Sequence, residues 1–270
     1  MPEHKRIQGP EETRNPLLFL QTEEKSHKPT LDGRGCRDDG RKPNQIRPLF
    51  LQCGLNPHAT GSVYLEHGKT KVLCTVYGPR DKERREDLNP EGVLSCEFKF
   101  LPFSCKERKT YQQDQEEKEF STIIAQALQR AVKLDTFPKL QLEINVAVIE
   151  NGGNALVAAI LCASAALTDC GIEMFDLPVA CSVVRFGTEF LVDPTVEEEY
   201  ARSELDDSVG STAAILLAYL PTLDEVTTLT QRGELQAEEV MKGIELCREG
   251  CLRIHQRMRD LLMQQVKAIS

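Results

Sequence analysis

The sequence predicts an α+β protein, in which groups of strands are followed by long helices. Short apolar runs separated by Gly and Pro turns predict the strands, and three longer stretches carry apolar residues at helical spacing. Because strands and helices come in groups and do not alternate one for one, a doubly wound parallel sheet is disfavoured. We therefore expect mixed sheets packed against helices.

The N-terminal part of the chain differs from the rest in composition. Residues 1–42 are rich in charge and proline and contain one short apolar cluster, Leu17–Leu20. The first 48 residues carry a net charge of +2, whereas the remaining 222 carry −11. We interpret residues 1–42 as a polar arm that is mobile or depends on a partner, 43–177 as a first half of the folded body and 178–270 as a second half.

The first half is predicted to begin with strands and to continue with a helix. Gly and Pro turns connect four apolar runs that predict strands: 46–53, 62–66, 70–77 and 93–103. A polar loop then leads to a helix from about residue 116 to 133, where apolar residues recur every three or four positions. Pro138 is expected to start the next strand, which includes the apolar run 142–149.

A Gly-Gly turn joins that strand to a helix with an unusual first turn. The segment Ala155–Cys170 is too long and too rich in Ala for a strand, so it predicts a buried helix. Free N–H groups and the helix dipole favour phosphate at such a helix start, and Gly152 and Gly153 allow a ligand to approach the backbone. Asn154 is also a good capping residue. Both an anion site and a simple capped turn stay open.

The second half is predicted to contain strands followed by one long helix. Strands are expected at 179–186, 189–192 and 213–220, with a weaker signal at 226–229. The final helix is predicted from about residue 234 to 264, because its apolar residues fall on one face.

Composition excludes several classes of protein. A net charge of −9 argues against strong autonomous binding to nucleic acid. No apolar run approaches the ~18 residues of a spanning helix, and the N-terminus lacks the apolar core of a signal peptide, so we expect a soluble intracellular protein without a membrane partner. The ten cysteines include no C-x-x-C pair, and Cys247 and Cys251 have the spacing of core residues on a helix. We predict no metal and no cofactor.

Four segments taken together resemble the ribonuclease PH family. They are DDGRKPNQIRPLFLQCGLNPHATGSVYLEHGKTKVLCTVYGPR, EFSTIIAQALQRAV, FPKLQLEINVAVIENGG and AALTDCGIEMFDLPVACSV. Their order over Asp38–Pro221 makes coincidence improbable. The resemblance implies the ribosomal protein S5 domain 2-like fold, normally assembled six to a ring around an RNA channel. It also implies a relation to enzymes that degrade RNA 3′ ends by phosphorolysis.

The phosphate-binding position of the family is altered in this chain. Active members have Ser or Thr and then Arg directly after the Gly-Gly pair, and these positions are Asn154 and Ala155 here. An Arg forms bidentate, charge-assisted hydrogen bonds worth about 1.5 to 3 kcal/mol each, which a methyl group cannot replace. The resemblance therefore implies weak binding of the attacking phosphate.

The other two catalytic positions implied by the resemblance are also altered. An Arg pair that grips RNA before the first long helix falls on Gln115 and Glu116. Two Asp residues that act as general acid or metal ligand fall on Glu199 and Ala214, so one carboxylate is kept. Residues inserted between them leave open a different metal site or an ordinary solvated surface: Glu204, Asp206 and Asp207.

A basic loop after Gly78 and Pro79 is implied by the resemblance to face the mouth of the RNA channel. Its cations are suited to contact phosphates without sequence preference. Acidic residues alternate with them, so an ordinary solvated loop is the other interpretation. The candidate RNA-contacting residues are Arg80, Lys82, Arg84 and Arg85.

Three altered positions predict a retained fold without the chemistry. The resemblance then implies a non-catalytic ring subunit of the RNA exosome, with other ribonuclease PH-like subunits in a hetero-hexamer, an S1/KH-type cap subunit, RNA in the channel and an associated hydrolytic nuclease as partners. Its expected locations are nucleus, nucleolus and cytoplasm. The alternative is a phosphorolytic 3′ to 5′ exoribonuclease, acting alone or through a composite site with a neighbour. A monomeric RNA-binding module is disfavoured by the acidic body and by the lack of Trp.

Overall fold

Two β-sheets with helices packed against them form the part of the chain described by the computed structural model. The described residues are 37, 39–81, 92–186, 189–199 and 213–269. Most of the predicted N-terminal arm lies outside them. So do three of the loop cations and the inserted carboxylates: Lys82, Arg84, Arg85, Glu204, Asp206 and Asp207.

The first sheet has five strands and is mixed. Its order is β1-β2-β3-β5-β4, and only the β4–β5 pair is parallel. The helix α1 precedes β5 in the chain, after β4. The bounds are β1 Leu49–Cys53, β2 Gly61–His67, β3 Thr70–Asp81, β4 Val93–Phe100, α1 Gln115–Gln129 and β5 Leu140–Glu150, with a short 3₁₀ turn at Leu134–Thr136.

The second sheet has four antiparallel strands in the order β7-β6-β8-β9. Helix α2 connects the two sheets, and helix α3 follows the last strand. The bounds are α2 Ala155–Asp169, β6 Val179–Phe186, β7 Glu189–Val192, β8 Ala213–Leu220, β9 Glu225–Arg232 and α3 Ala237–Ile269. The predicted α+β class with mixed sheets and packed helices is confirmed.

Helix α2 lies in the core between the sheets. Its residues from Ala155 to Leu167 are all buried, and it contacts β2 and β3 on one side and β6 on the other. A helix surrounded in this way needs apolar side chains on every face and small side chains where its neighbours approach closely, which explains its many alanines. A Cβ on Gly61 would lie 2.5 Å from the carbonyl oxygen of Ala166, so β2 approaches the helix backbone closely. This contact holds β2 against the C-terminal end of α2.

Helix α3 joins the two sheets on the outside. It packs against β6 and β8 of the second sheet, and its far end reaches β1 of the first. There the side-chain amide of Gln265 donates to the carbonyl of Leu51 at 2.5 Å and accepts from the N–H of Cys53 at 3.2 Å. The last helix of the chain therefore binds its first strand.

Several predicted boundaries differ from the structure, among them the start of β1 and the end of β4, each three residues inside its predicted range. Helix α1 ends at Gln129 and not near residue 133, because the buried Ala131 and Val132 continue the apolar pattern after the helix has ended. Strand β5 starts at Leu140, two residues after Pro138. Helix α3 runs from Ala237 to Ile269, so the prediction of 234–264 placed both ends too early.

Replacing Leu161 by Ala tests the importance of α2 for the core. Leu161 is fully buried, so Leu161→Ala is expected to lower the free energy of unfolding by about 2 to 5 kcal/mol. The matched control is Leu252→Ala on α3, where the side chain is 45 % exposed and the change should stay within about 0.5 kcal/mol. Urea denaturation measures both, and equal losses would contradict a core position for α2.

Candidate functional site

A cavity of about 280 Å³ lies where α1, α2, β6, β8 and β9 come together. It contains five of the six altered catalytic positions, although these are far apart in the sequence. The five lining residues are Glu116, Asn154, Ala155, Glu199 and Ala214. Gln115 is the first residue of α1 and is absent from the lining. The structure therefore gathers these positions at one place, the start of α2.

Asn154 does not cap α2 with its side chain, so that sequence-based interpretation was wrong. Its backbone is left-handed, with φ of 58°, and this turns the side chain into the protein. The side-chain Nδ2 donates to Oδ1 of Asp193 at 3.0 Å, and Oδ1 of Asn154 accepts from the Ser182 hydroxyl at 2.8 Å. The side-chain amide of Asn154 therefore binds the buried carboxylate of Asp193.

A carboxylate of the chain itself occupies the start of α2. Oε1 of Glu199 accepts the backbone N–H of Asn154 at 2.9 Å. Glu199 lies on a short helical turn at residues 196–199, which Glu198 stabilises by accepting the N–H of Thr195 at 2.8 Å. N–H groups at a helix start favour an anion, and here the anion is an internal side chain.

Asp193 is the centre of a buried polar cluster behind the cavity. It is 1 % exposed, and Arg47 donates to its carboxylate from Nε at 2.9 Å and from Nη2 at 2.6 Å. His67 Nε2 lies 3.2 Å from Asp193 Oδ2. Arg47 also donates to the carbonyls of Gly152 and Gly153, at 3.0 and 3.2 Å. One cation therefore holds both the Asp193 carboxylate and the Gly-Gly turn.

These contacts shift the pKa of Asp193. Burial by itself would raise this pKa, but His67 and Arg47 lower it by more. The net result is a pKa well below the ordinary value of an aspartic acid. Asp193 is therefore ionised at neutral pH, and its charge is balanced inside the protein.

Two more arginines bring the start of the described chain to the same cluster. Arg37 donates to the carbonyl of Val192 at 2.6 Å and lies 3.5 Å from the Glu198 carboxylate. Arg41 donates to the carbonyl of Asp193 at 3.2 Å. Burial lowers the pKa of Arg37, and Glu198 opposes this effect. Arg37 and Arg41, which the sequence analysis assigned to the polar arm, are thus buried and anchored to the folded body.

Both cations that line the cavity are paired with carboxylates of the same chain. Lys109 Nζ lies 3.4 Å from Glu116 Oε2, and Arg232 Nη2 lies 3.0 Å from Glu119 Oε1. The cations of the described lining are therefore already balanced by carboxylates of the same chain before a phosphate enters. This arrangement is unfavourable for a dianion.

Outside the cavity, the structure describes one residue of the predicted RNA-contacting loop. The exposed Arg80 guanidinium lies over the Tyr77 ring, 5.0 Å from its centroid. RNA contact by Arg80 and by the other three cations stays a prediction. Within the described ranges, no group of three His, Cys, Asp or Glu side chains is placed to hold a metal ion. No described helix is both long and apolar enough to cross a membrane.

Comparison with protein families identifies the fold and its two parts. The model for domain 1 of the 3′ exoribonuclease family, RNase PH, matches residues 45–173, and the model for domain 2 matches residues 176–250. The chain belongs to the ribonuclease PH family. Its cavity therefore lies at the positions where the resemblance placed the ribonuclease PH catalytic groups.

Relatives in the ribonuclease PH family include subunits of exosome complexes. The human exosome complex component MTR3 is 35 % identical over 97 % of this chain and 95 % of its own length. Exosome complex component Rrp41 of Pyrococcus furiosus is 33 % identical over 89 % of this chain and 93 % of its own. The crystal structure of rice Rrp46 has a TM-score of 0.70 and 28 % identity, and covers 83 % of this chain and 99 % of the rice chain.

Within the ribonuclease PH family, three segments point to one type of subunit. The DGRKP opening, the FPKLQLEINVAVIENGGNALVAA segment and the LVDPTVEEE tract resemble the ring subunit of the mRNA-transport-regulator-3 type. The identity to human and mouse MTR3, 35 % and 34 % over 97 % of the chain, confirms this assignment.

Replacing Asp193 by Asn tests the buried cluster. Loss of the carboxylate leaves Arg47 without its balancing charge, so Asp193→Asn should lower the free energy of unfolding by about 3 to 5 kcal/mol at pH 7. Because the folded-state pKa of Asp193 is depressed, the carboxylate stabilises the wild type above its unfolded pKa of ~3.9 and loses this effect as pH falls. The difference between variant and wild type should therefore shrink below about pH 4.

The control for this experiment is Asp260→Asn on the exposed surface of α3, which should change stability by less than about 0.5 kcal/mol. Denaturation of all three proteins across pH gives the comparison. An Asp193→Asn protein as stable as the wild type at pH 7 would contradict the anchoring role of Asp193.

Proposed function

We propose that this chain is a non-catalytic structural subunit of an RNA exosome ring. It supports 3′ to 5′ RNA processing and degradation by shaping the RNA channel and by docking other subunits. Its MTR3 and Rrp41 relatives are named as exosome complex components, and the MTR3 match covers 97 % of the chain. The proposal combines this kinship with the state of the cavity.

The observation that carries the proposal is the start of α2, where Ala155 stands in place of the family's Arg and the Asn154 N–H is already bound. Glu199 Oε1 accepts that N–H at 2.9 Å, at the place where the family would hold the attacking phosphate. A phosphate entering there would face a carboxylate at close range, and like charges at ~4 Å repel each other strongly in a partly buried site. Ala155 supplies no cation to offset this repulsion. The site therefore favours the internal carboxylate over phosphate.

The remaining catalytic positions support the same conclusion. Glu116 replaces one cation that would grip the RNA backbone, and it is paired with Lys109. Ala214 has no group able to transfer a proton or to bind a metal ion. Glu199 is the one carboxylate retained of the pair, and its Oε1 already accepts a backbone N–H. Chemistry at this cavity would need several groups that the described lining does not provide.

The partners follow from this role. Other ribonuclease PH-like subunits would complete a hetero-hexameric ring, with an S1/KH-type cap subunit above it and RNA passing through it. Degradation would then depend on an associated hydrolytic nuclease. We propose nucleus, nucleolus and cytoplasm as locations, as expected for a general RNA-processing assembly.

One observation favours a contributory catalytic role as the second candidate. The cavity persists, and its walls include β9 at an edge of the second sheet, so a neighbour can bring groups to its rim. A composite phosphorolytic site of this kind would need the neighbour to supply the missing cations. The following experiment separates the two functions.

The wild-type chain is expected to release no nucleoside diphosphate from 3′-labelled RNA with phosphate and magnesium. It should also show no saturable binding of inorganic phosphate at millimolar concentrations. The double variant Ala155→Arg with Glu199→Gln should gain such binding, because it removes the competing carboxylate and adds a cation. Isothermal titration with inorganic phosphate measures the gain.

The matched control combines Ala155→Arg with Glu197→Gln, which neutralises an exposed carboxylate on the same helical turn. It should bind phosphate at least about tenfold more weakly than the Glu199 variant, a difference of ~1.4 kcal/mol. Nucleoside diphosphate release by the wild type that disappears in Glu199→Gln would contradict the non-catalytic assignment. Release only in the presence of ring partners would support the composite site.

Native mass spectrometry tests assembly directly. Material purified from cells through a tag on this chain should contain other ribonuclease PH-like subunits in equal amounts. A scaffold subunit functions only within the assembled complex, so most of the purified chain should be bound to its partners. A stable lone monomer as the main species would contradict the proposal.

A further inference from the structure

A second cavity, of about 630 Å³, lies beside the Gly-Gly turn and contains none of the altered catalytic positions. Its volume is in the range of small-molecule sites, roughly 300 to 1,000 Å³. Cys105 and Asn151 line both this second cavity and the catalytic cavity, so the two cavities adjoin at these residues. The second cavity is therefore a separate space with room for a ligand.

Arg41 lines the second cavity and has one unpartnered nitrogen. The residue is 8 % exposed. Its Nε donates to the Asp39 carboxylate, and its Nη1 donates to the carbonyls of Gln45 and Asp193, both at 3.2 Å. Nη2 is buried and has no hydrogen-bond partner among the described residues. Because a buried polar group without a partner is costly, this nitrogen is a candidate donor to an anionic ligand.

The charges that line the second cavity leave a surplus of positive charge. Lys69 and Lys106 are exposed and have no carboxylate partner among the described residues, and the same holds in reverse for Glu197. Arg47 is bound to Asp193. The other three carboxylates of the lining each have a cation partner: Asp39 with Arg41, Glu150 with Lys71 at 2.8 Å, and Glu198 with Arg37 at 3.5 Å. Two unpaired lysines against one unpaired glutamate favour an anionic ligand.

Cys105 is a half-buried thiol in the wall of the second cavity. Asn151 Nδ2 donates to its sulfur at 3.9 Å, and the Ser104 hydroxyl lies 3.6 Å from it. Lys106 lines the same cavity, and Lys109 lines the adjoining catalytic cavity. A thiol that is partly exposed and lies near cations and hydrogen-bond donors is the type that reacts as a thiolate.

The other described cysteines are less able to react with a ligand. Cys53, Cys96 and Cys170 are half-buried, and burial raises the pKa of all three thiols. The pKa of Cys53 reaches about 12, because Asp169 adds to the effect of burial. A raised pKa lowers the fraction of thiolate at neutral pH, and the thiolate is the form that attacks a disulfide. The remaining five are fully buried: Cys74, Cys162, Cys181, Cys247 and Cys251.

We propose that the second cavity binds a small disulfide that carries carboxylates, and that Cys105 captures one half of it as a mixed disulfide. Arg41, Lys69 and Lys106 hold the carboxylates of the ligand. The Cys105 proton goes to solvent, and the thiolate attacks one sulfur of the bound disulfide. The new S–S bond forms as the original one breaks, and the other half leaves as a thiolate that takes up a proton. Cys105 is oxidised and the small disulfide is reduced, so no further oxidant is needed.

Disulfides of different charge test this site on the wild-type chain. Peptide mapping by mass spectrometry gives the rate of Cys105 modification by glutathione disulfide, which is anionic, and by bis(hydroxyethyl) disulfide, which is neutral. The reference is a peptide of residues 103–108, which keeps Lys106 and Arg108 beside the thiol but has no cavity. The ratio of the anionic to the neutral rate should be at least about tenfold higher in the folded chain than in the peptide.

Lys69→Gln tests a cation that acts only in the folded cavity. Lys69 lies between β2 and β3 and is distant from Cys105 in the sequence. Its loss should slow the reaction with glutathione disulfide at least about threefold, because one unit charge near the ligand is removed, and change the rate with the neutral disulfide by less than about 1.5-fold. The matched control is Lys242→Gln, at an exposed position of α3 outside the lining, which should keep both rates.

Binding before reaction is measured with S-methylglutathione, which carries the same carboxylates but cannot exchange. It should slow the alkylation of Cys105 by iodoacetamide, a neutral reagent, saturably and by at least about fivefold. The peptide of residues 103–108 should show no such protection. This measurement reports on occupation of the cavity without a covalent step.

Each outcome decides for or against the proposal. A charge preference in the folded chain, its reduction in Lys69→Gln and saturable protection of Cys105 support it. The same charge preference in the peptide and the folded chain overturns it, because Lys106 and Arg108 would then act without a cavity. A Lys69→Gln chain that reacts like the wild type also overturns it, and so does a chain that S-methylglutathione leaves unprotected.

Discussion

The buried ion pair between Asp193 and Arg47 is the interaction on which the rest of the site depends. Arg47 precedes the first strand, while Asp193 follows β7 in the second sheet. The same two side chains hold Asn154 at the start of α2 and the carbonyls of the Gly-Gly turn. Removing one partner of such a pair leaves a buried charge, which typically costs about 3 to 5 kcal/mol. The start of α2 is therefore fixed by electrostatics across the two sheets.

This constraint explains why the position that would bind phosphate in the family has a structural use here. The Asn154 side chain points to Asp193, so it is directed away from an incoming ligand. Its backbone N–H donates a hydrogen bond to the Glu199 carboxylate at the cavity. The helix dipole and the free N–H groups still attract negative charge, as they do at any helix start. In this chain the negative charge at the helix start belongs to the Glu199 side chain, which is part of the fold.

Much of the fold was predictable because it follows from local patterns. The bounds of β6, β7 and β8 agree with the predicted strands, and α2 ends within one residue of its prediction. The positions that the resemblance aligned with catalytic groups could be named from the sequence, because each lies beside a recognisable motif, and five of them line one cavity. The roles of Asn154 and Glu199 were not, since they depend on a left-handed backbone and on a partner 45 residues away. Arg47, His67 and Asp193 were missed for the same reason: each is a single polar residue whose partners are distant in sequence. The closely spaced Arg37, Arg41 and Arg47 were the one available signal.

The hydrogen bonds of Gln265 have a consequence for how the protein unfolds. They join α3 to β1, across sequence separations of 212 and 214 residues. A fold in which β1 and α3 meet in this way has contacts of very high sequence separation, which slow folding. It also means that β1 loses the hydrogen bonds at its outer edge if α3 separates from the first sheet. Two family domains are recognisable in the sequence, but α3 packs against both sheets. We therefore expect both domains to unfold together in one cooperative transition.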